Sequence, residues 1–180
     1  MKIHKTEIED LLVIHPDVFP DERGYFFESY QKEKFREAGL NWDFVQDNES
    51  MSMKGVLRGL HFQLPPFAQG KLVRVVRGAV LDVAVDLRKN SATYGQWASF
   101  RISAENKWMA FIPAGFAHGF LVLEDHTIFQ YKCTNYYNKE SESGIIWNDP
   151  ELAIDWGIEH PLVSEKDLQG LRFKDFVSPF

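Results

Sequence analysis

The sequence predicts an all-β fold with a minor helical component, and three observations carry that expectation. Seven short runs rich in β-branched and aromatic residues follow one another through the middle of the chain, separated by Gly, Pro or polar turns. Two of these runs alternate with the period of two that a pleated strand imposes. Only Gln31 to Ala38 reads as a clear helix.

Taken in order, the helix comes first. QKEKFREA is rich in helix formers, and Gly39 stands where a left-handed cap ends a helix. The expected strands are Val56–Gln63, Lys71–Arg77, Ala79–Leu87, Trp97–Ile102, Trp108–Ile112, His118–Leu123 and Thr127–Thr134. In the second, Lys71, Val73, Val75 and Arg77 share one face. In the third, leucines and valines alternate with Asp82, Ala84 and Asp86. A short helical stretch is expected to begin at Ser164. One sheet must cover its apolar face with another, so many short strands imply a sandwich or a closed barrel.

The 180 residues suit a single domain spanning positions 1–180, able to bury roughly 70% of its unfolded surface. Hydrophobic residues make up 44% of the chain, with 15 Phe, 5 Trp and 6 Tyr, which marks a packed core and excludes a disordered chain. The formal charge of −6 argues against a nucleic-acid binder but leaves room for a local basic pocket that takes one phosphorylated small molecule. A lone Cys133 forms no internal disulfide and no cysteine metal site, and reads as a small core hydrophobe. Charges interrupt the apolar residues of MKIHKTEIEDLLVI, so it does not read as a signal peptide. No run approaches the roughly 18 apolar residues of a membrane span. The expectation is a soluble, cytoplasmic protein with no nucleic-acid or membrane partner, in which the triplet Asn48-Glu49-Ser50 is a chance match to a glycosylation site.

Polar residues inside otherwise apolar strands are where chemistry is sought. Arg58-Gly59-Leu60-His61-Phe62-Gln63, Gln69-Gly70-Lys71-Leu72-Val73-Arg74, Ala117-His118-Gly119-Phe120 and Phe129-Gln130-Tyr131-Lys132 carry them. Lining one cavity, these segments would supply a base, a phenol acid and a cation, the set that enolises a ketone. A metal is disfavoured, because the same-face neighbour of His61 is Gln63 and not a second imidazole, and Lys71 would add an unwanted positive charge. No nucleophile elbow, phosphate loop or dinucleotide fingerprint is present.

Each of these residues has a plainer reading. Taken alone, His61, His118 and Tyr131 are ordinary hydrogen-bonded residues of a strand core. Lys71, Arg58 and Arg23 fit a solvated strand edge. Asp167 fits a capping box with Ser164. Regular strand geometry also points Arg58 and His61 to opposite faces, unless Gly59 hosts a bulge or Arg58 lies beyond the regular strand.

Eight blocks then follow one another in a telling order. They are Asp21-Glu22-Arg23-Gly24-Tyr25-Phe26-Phe27-Glu28, Gln46-Asp47-Asn48-Glu49-Ser50, Gly55-Val56-Leu57-Arg58-Gly59-Leu60-His61-Phe62-Gln63 and Gln69-Gly70-Lys71-Leu72-Val73-Arg74, then Ile112-Pro113-Ala114-Gly115-Phe116-Ala117-His118-Gly119-Phe120, Tyr131-Lys132, Gly144-Ile145-Ile146-Trp147 and Ser164-Glu165-Lys166-Asp167. Together they resemble the dTDP-4-dehydrorhamnose 3,5-epimerases, over about Phe19 to Asp167.

The resemblance implies a cupin, or jelly-roll, β-barrel with a few short helices that works as a homodimer without a cofactor or metal. It implies that His61 removes protons beside the C4 ketone of a dTDP-sugar, that Asp167 partners that histidine, and that Tyr131 reprotonates from the opposite face. Lys71 is implied to face the C4 oxygen. Arg23, reaching from a partner subunit, and Arg58 are implied pyrophosphate contacts. Glu28, Gln46, Asn48, His118, Tyr137, Glu142 and Lys166 are implied further nucleotide-sugar contacts, with Tyr137 stacking on the thymine. A relative that inverts only C3 or only C5, or a non-catalytic sugar-nucleotide-binding cupin, would carry many of the same blocks.

Overall fold

The structure is a computed structural model and describes residues 1–180. In chain order the elements are β1 (Lys2–Lys5), β2 (Leu12–His15), β3 (Val18–Asp21), β4 (Gly24–Phe27), α1 (Lys32–Glu37), β5 (Gln46–Ser52), β6 (Val56–Gln63), β7 (Lys71–Arg77) and β8 (Ala79–Asp86). They continue with β9 (Trp97–Ser103), β10 (Met109–Ile112), β11 (Phe116–Val122), β12 (Thr127–Cys133), β13 (Glu142–Gly144) and β14 (Leu162–Val163). All seven expected strands form, and β6 and β7 have the expected limits. The expected helix is there as α1, where the Gln31 side chain accepts the Lys34 N–H and Gly39 ends the helix at φ +84°. Strands β1 to β5, β13 and β14 were not expected from the sequence.

Two sheets face each other. One runs β1-β2-β10-β7-β12-β5, the other β13-β6-β11-β8-β9, with β14 added parallel to β6. They are not joined into one closed hydrogen-bonded ring, so the expected barrel takes the form of a jelly-roll sandwich. Inner-face residues of both sheets make the central core: Val73 and Val75 of β7, Ala84 of β8, Ile102 of β9, Phe120 of β11 and Phe129 of β12. Burying each of the larger side chains stabilises the fold by about 1.5–3 kcal/mol.

Two further layers cover the outer faces. Phe35 of α1 packs with Leu12, Ile14, Leu72, Met109 and Phe111 on the outside of the first sheet. The C-terminal segment does the same for the second, where Leu152, Trp156 and Phe176 lie against Leu57, Val83 and Val85. Because both faces of β8 are covered, Val80 to Asp86 contains buried residues on either side, and the alternation read in the sequence does not separate core from solvent. Asp82 and Asp86 are themselves fully buried. Asp86 is paired with Arg88 at 2.9 Å and accepts hydrogen bonds from Ser91 and Thr93 at 2.7 Å.

The pairing of β6 with β11 resolves the parity problem at Arg58 and His61. His118 lies opposite His61 and Phe120 opposite Arg58, so three steps along β6 match two along β11. The extra residue is a bulge, and it turns Arg58 and His61 to the same inner face. Gly59 makes this possible: it sits at φ +132°, and a Cβ there would lie 2.5 Å from the Gly119 Cα.

Candidate active site

The inner faces of the two sheets bring together most of the polar residues singled out in the sequence. From the first sheet, β5 contributes Gln46 and Asn48, β7 contributes Lys71, and β12 contributes Tyr131. The registers Asn48↔Tyr131↔Val73 and Gln46↔Cys133↔Lys71 put all four on one face. From the second sheet, β6 contributes His61 and β13 Glu142. These residues, with Tyr137, line a cavity of about 230 Å³. His61 and Glu142 also border an adjoining cavity of about 200 Å³ with Lys166 and Asp167.

His61 stands on one wall and is held firmly. Its Nε2 lies 2.7 Å from the Asp167 Oδ1, while the Asp167 Oδ2 accepts the Gly59 backbone N–H at 3.2 Å. Burial alone would raise the Asp167 carboxyl, but His61 and the Gly59 N–H hold it below the usual carboxylate range. Asp167 is 7% exposed and the His61 side chain 33%, so the carboxylate is sequestered while the imidazole reaches the cavity. The capping reading of Asp167 is half right. The Ser164 Oγ accepts the Asp167 N–H at 3.2 Å, as a cap does, while the carboxylate also binds His61 and the Gly59 N–H of β6.

Tyr131 and Lys71 form the opposite wall. The Lys71 Nζ sits 5.8 Å from the Tyr131 ring centroid. Burial pushes the Lys71 amine below its ordinary value, opposed by Cys133 and by the carboxylates of Asp82 and Glu142. Burial likewise pushes the Tyr131 phenol up, so it stays protonated at neutral pH, and Arg58 acts against that rise. For Glu142 burial would raise the carboxyl, but Lys166 at 2.5 Å and the Tyr137 hydroxyl at 3.0 Å keep it below the usual range.

The remaining expected residues fall in three places. Arg58 reaches across to β5, donating from Nε and Nη2 to the Ser52 Oγ at 3.2 and 3.1 Å. His118 lies beside His61 on the neighbouring strand but is 5% exposed, with its Nε2 2.8 Å from the Asp82 Oδ2. Arg23 and Glu28 are not brought to the cavity of their own chain. Arg23 sits at the tip of the β3–β4 hairpin with an 85% exposed side chain paired to Asp21, and Glu28 pairs with Lys34 at 2.8 Å. No group of three or more His, Cys, Asp or Glu side chains is arranged to hold a metal ion.

Three residues here had not been given a role. Asp82 was seen only as an alternating polar residue, and its pairing to His118 needs the β8–β11 register, which no local pattern reveals. Gln63 and Gln69 stand beside the histidine and lysine in the sequence, but both reach the loop after β12, and Gln63 also reaches the loop between β6 and β7.

Comparison with known proteins adds findings of its own. A family model described as dTDP-4-dehydrorhamnose 3,5-epimerase matches residues 5–175. The chain belongs to this family. It is 55% identical to the dTDP-4-dehydrorhamnose 3,5-epimerase of Shigella flexneri, over 97% of each chain. Among solved structures, the epimerase of Elizabethkingia anophelis is 53% identical and covers 97% of both chains with a TM-score of 0.93. The dTDP-6-deoxy-D-glucose-3,5-epimerase of Legionella pneumophila, solved in complex with dTDP-4-keto-L-rhamnose, is 48% identical, with coverage of 98% and 94% and a TM-score of 0.93. The family's cupin-type sandwich is therefore the fold of this chain, and no helix in it is long and apolar enough to cross a membrane.

Proposed function

We propose that this member of the epimerase family inverts C3 and C5 of dTDP-4-dehydro-6-deoxy-D-glucose, giving dTDP-4-dehydro-L-rhamnose, as a single catalytic domain in the cytoplasm. The observation that carries this reading is the placement of His61 and Tyr131 on facing sheets across one cavity, with Lys71 beside the tyrosine.

Inversion needs a proton taken from one face of the sugar and returned to the other. His61, backed by the Asp167 carboxylate at 2.7 Å, takes the proton on the carbon beside the C4 ketone. The electron pair left behind moves onto the C4 oxygen as an enolate, which the Lys71 ammonium stabilises. Tyr131, protonated because burial raises its phenol, then delivers a proton from the opposite wall. The same three groups serve C3 and C5 in turn, because both carbons flank the same ketone, with His61 releasing its proton to solvent and the Tyr131 phenolate taking one from solvent between the two inversions. Gln46, Asn48, Glu142, Lys166 and His118 hold the nucleotide-sugar, Tyr137 stacks on the thymine, and Arg58 meets the pyrophosphate. The net charge of −6 does not oppose this, since Arg58, Lys71 and Lys166 concentrate positive charge at the cavity.

The test is incubation with dTDP-4-keto-6-deoxyglucose in D₂O, followed by NMR with and without chelator. Deuterium at both C3 and C5, unaffected by chelator, with inverted product, is the expected result. Deuterium at one carbon would make the chain a single-position epimerase, and bound dTDP without any exchange would make it a binding protein only. Tyr131→Phe extends the test. It should retain proton exchange from His61 while lowering inverted product by about 10²-fold, the lower range for a lost general acid; full yield of inverted product would remove Tyr131 from the role.

The same reading includes a homodimer. Phe19, Tyr25 and Phe26 of the β3–β4 hairpin are 60%, 56% and 68% exposed, an apolar arm left largely open even though the Lys107 Nζ sits 4.0 Å from the Tyr25 ring centroid. Docked on a second copy, this arm would carry Arg23 and Glu28 to the partner's cavity and so complete the pyrophosphate contacts. The chain should sediment as a dimer at micromolar concentration, and Phe26→Asp should shift it to monomer with weakened activity. A fully active monomer would refute the shared site.

A further inference from the structure

Gln63 is 5% exposed at the end of β6, and every polar atom of its amide is engaged within the protein. Its Nε2 donates to the Phe67 carbonyl at 2.6 Å and to the Tyr136 carbonyl at 3.1 Å, and its Oε1 accepts the Asn138 N–H at 2.8 Å. Phe67 belongs to the loop between β6 and β7, while Tyr136 and Asn138 belong to the loop after β12. One side chain therefore ties together two loops that are remote in sequence and meet at the mouth of the cavity. Both of its N–H donors are consumed and one of the two acceptor sites of its Oε1 is taken, so Gln63 has no donor left to offer a ligand.

What these bonds hold is the segment that carries Tyr137 and leads to Glu142. Tyr137 lies between the two residues bound by Gln63, and its own N–H goes to the Gln46 Oε1 at 2.9 Å. Asn138, fixed through its N–H, in turn accepts the Ser141 N–H on its side chain at 2.9 Å, which sets the short turn entering β13. Glu142, the first residue of β13, lies directly opposite Gln63 in the register with β6. Tyr137 is 54% exposed and has little packing of its own to fix it.

We propose that Gln63 is a positioning residue for substrate binding: by lacing the two loops it presents Tyr137 and Glu142, already placed, to the nucleotide end of the substrate. This deepens the nucleotide-sugar reading and rests on it. A loop ordered before binding has less conformational freedom to lose when the ligand arrives. Removing the lacing should therefore weaken binding while leaving His61, Tyr131 and Lys71, which sit on strands, able to turn over bound substrate.

The test compares the full-length wild type with Gln63→Met, which keeps side-chain length but removes all three bonds. KM for the dTDP-sugar and Kd for dTDP should each rise about tenfold, the scale of ordering two contact side chains, with kcat within a factor of two. Amide hydrogen exchange should quicken in the peptides covering 64–69 and 134–141 and stay unchanged in β7 and β11. Gln63→Glu provides an independent arm, since it keeps the acceptor for Asn138 but turns a carboxylate toward two carbonyl oxygens. Its KM ratio to wild type should shrink as the pH falls and the introduced carboxylate gains a proton. Unchanged loop exchange, unchanged KM, or a fall in kcat matching any rise in KM would overturn the proposal. Failure of the wild type to bind dTDP would instead overturn the nucleotide reading, and the exchange arm would still decide whether Gln63 laces the loops.

Discussion

His61→Ala should abolish the exchange of sugar C3 and C5 protons with solvent and lower kcat by about 10³-fold, within the range for a lost general base. The expectation rests on position as much as on residue type. His61 is the imidazole that opens to the cavity, while His118 beside it is buried and engaged by Asp82 at 2.8 Å. No second histidine is thus placed to take over. Asp167 makes the assignment sharper, because its carboxylate binds the imidazole at 2.7 Å and is itself oriented by the Gly59 N–H. When His61 accepts a proton from carbon, the imidazolium forms against a carboxylate that is already charged. Binding of dTDP should survive the substitution within a few-fold, since Tyr137, Glu142 and Lys166 do not depend on His61 for their placement. The decisive measurement is deuterium incorporation at each carbon, by NMR, on a variant whose dTDP affinity has been checked. Exchange persisting at the wild-type rate would exclude His61 as the base for that carbon.

Legibility in the sequence followed burial pattern. Strands β6 and β7 were placed with their true limits because apolar residues dominate them and turn residues bound them. Strand β5 escaped notice for a functional reason. Its residues QDNESMS carry neither β-branched nor aromatic side chains, and its inner face presents Gln46 and Asn48 to the cavity in place of core hydrophobes. A strand that lines a polar site loses the alternation that would announce it. The β3–β4 hairpin escaped for another reason, since its apolar residues face outward.

The pattern of residues makes the site readable in its chemistry but not in its supports, and Asp167 as the partner of His61 comes from the family resemblance alone. His61, Lys71 and Tyr131 stood out as polar residues within apolar strands. Their supports act across long stretches of chain: Asp167 lies 106 residues from His61, and Tyr136 lies 73 from Gln63. The bulge at Gly59 shows how fine the distinction is. Without its extra residue Arg58 would face away from His61, and the sequence alone left that choice open.

Lys71→Met should lower kcat by about 10²–10³-fold, the cost of removing a preorganised charge from a developing oxyanion, and should slow exchange at C3 and C5 together. The joint loss is the diagnostic feature. The base and the acid act at carbon, where stereochemistry and distance can separate the two positions, but the enolate oxygen is common to both. A cation at C4 therefore affects both exchanges by the same factor, whereas a contact to one hydroxyl would slow only one. The geometry sets burial of this amine against nearby groups that favour its charged form. Burial pushes its amine below the ordinary value of about 10.4, and Cys133, Asp82 and Glu142 limit the fall. The sign follows directly: the protonated amine is the active form, so the wild-type rate should drop on the alkaline side at a pH below that of a free lysine. Asp82 gives a second handle on the same limb. Its Oδ2 is taken by His118 and its Oδ1 has no hydrogen-bond partner, so it bears on Lys71 through its charge. Asp82→Asn should move the alkaline limb to lower pH, in the direction of weaker charge support, while Lys71→Met should abolish that limb. A limb unmoved by either substitution, or a Lys71→Met enzyme that loses exchange at one carbon only, would take Lys71 away from the ketone oxygen.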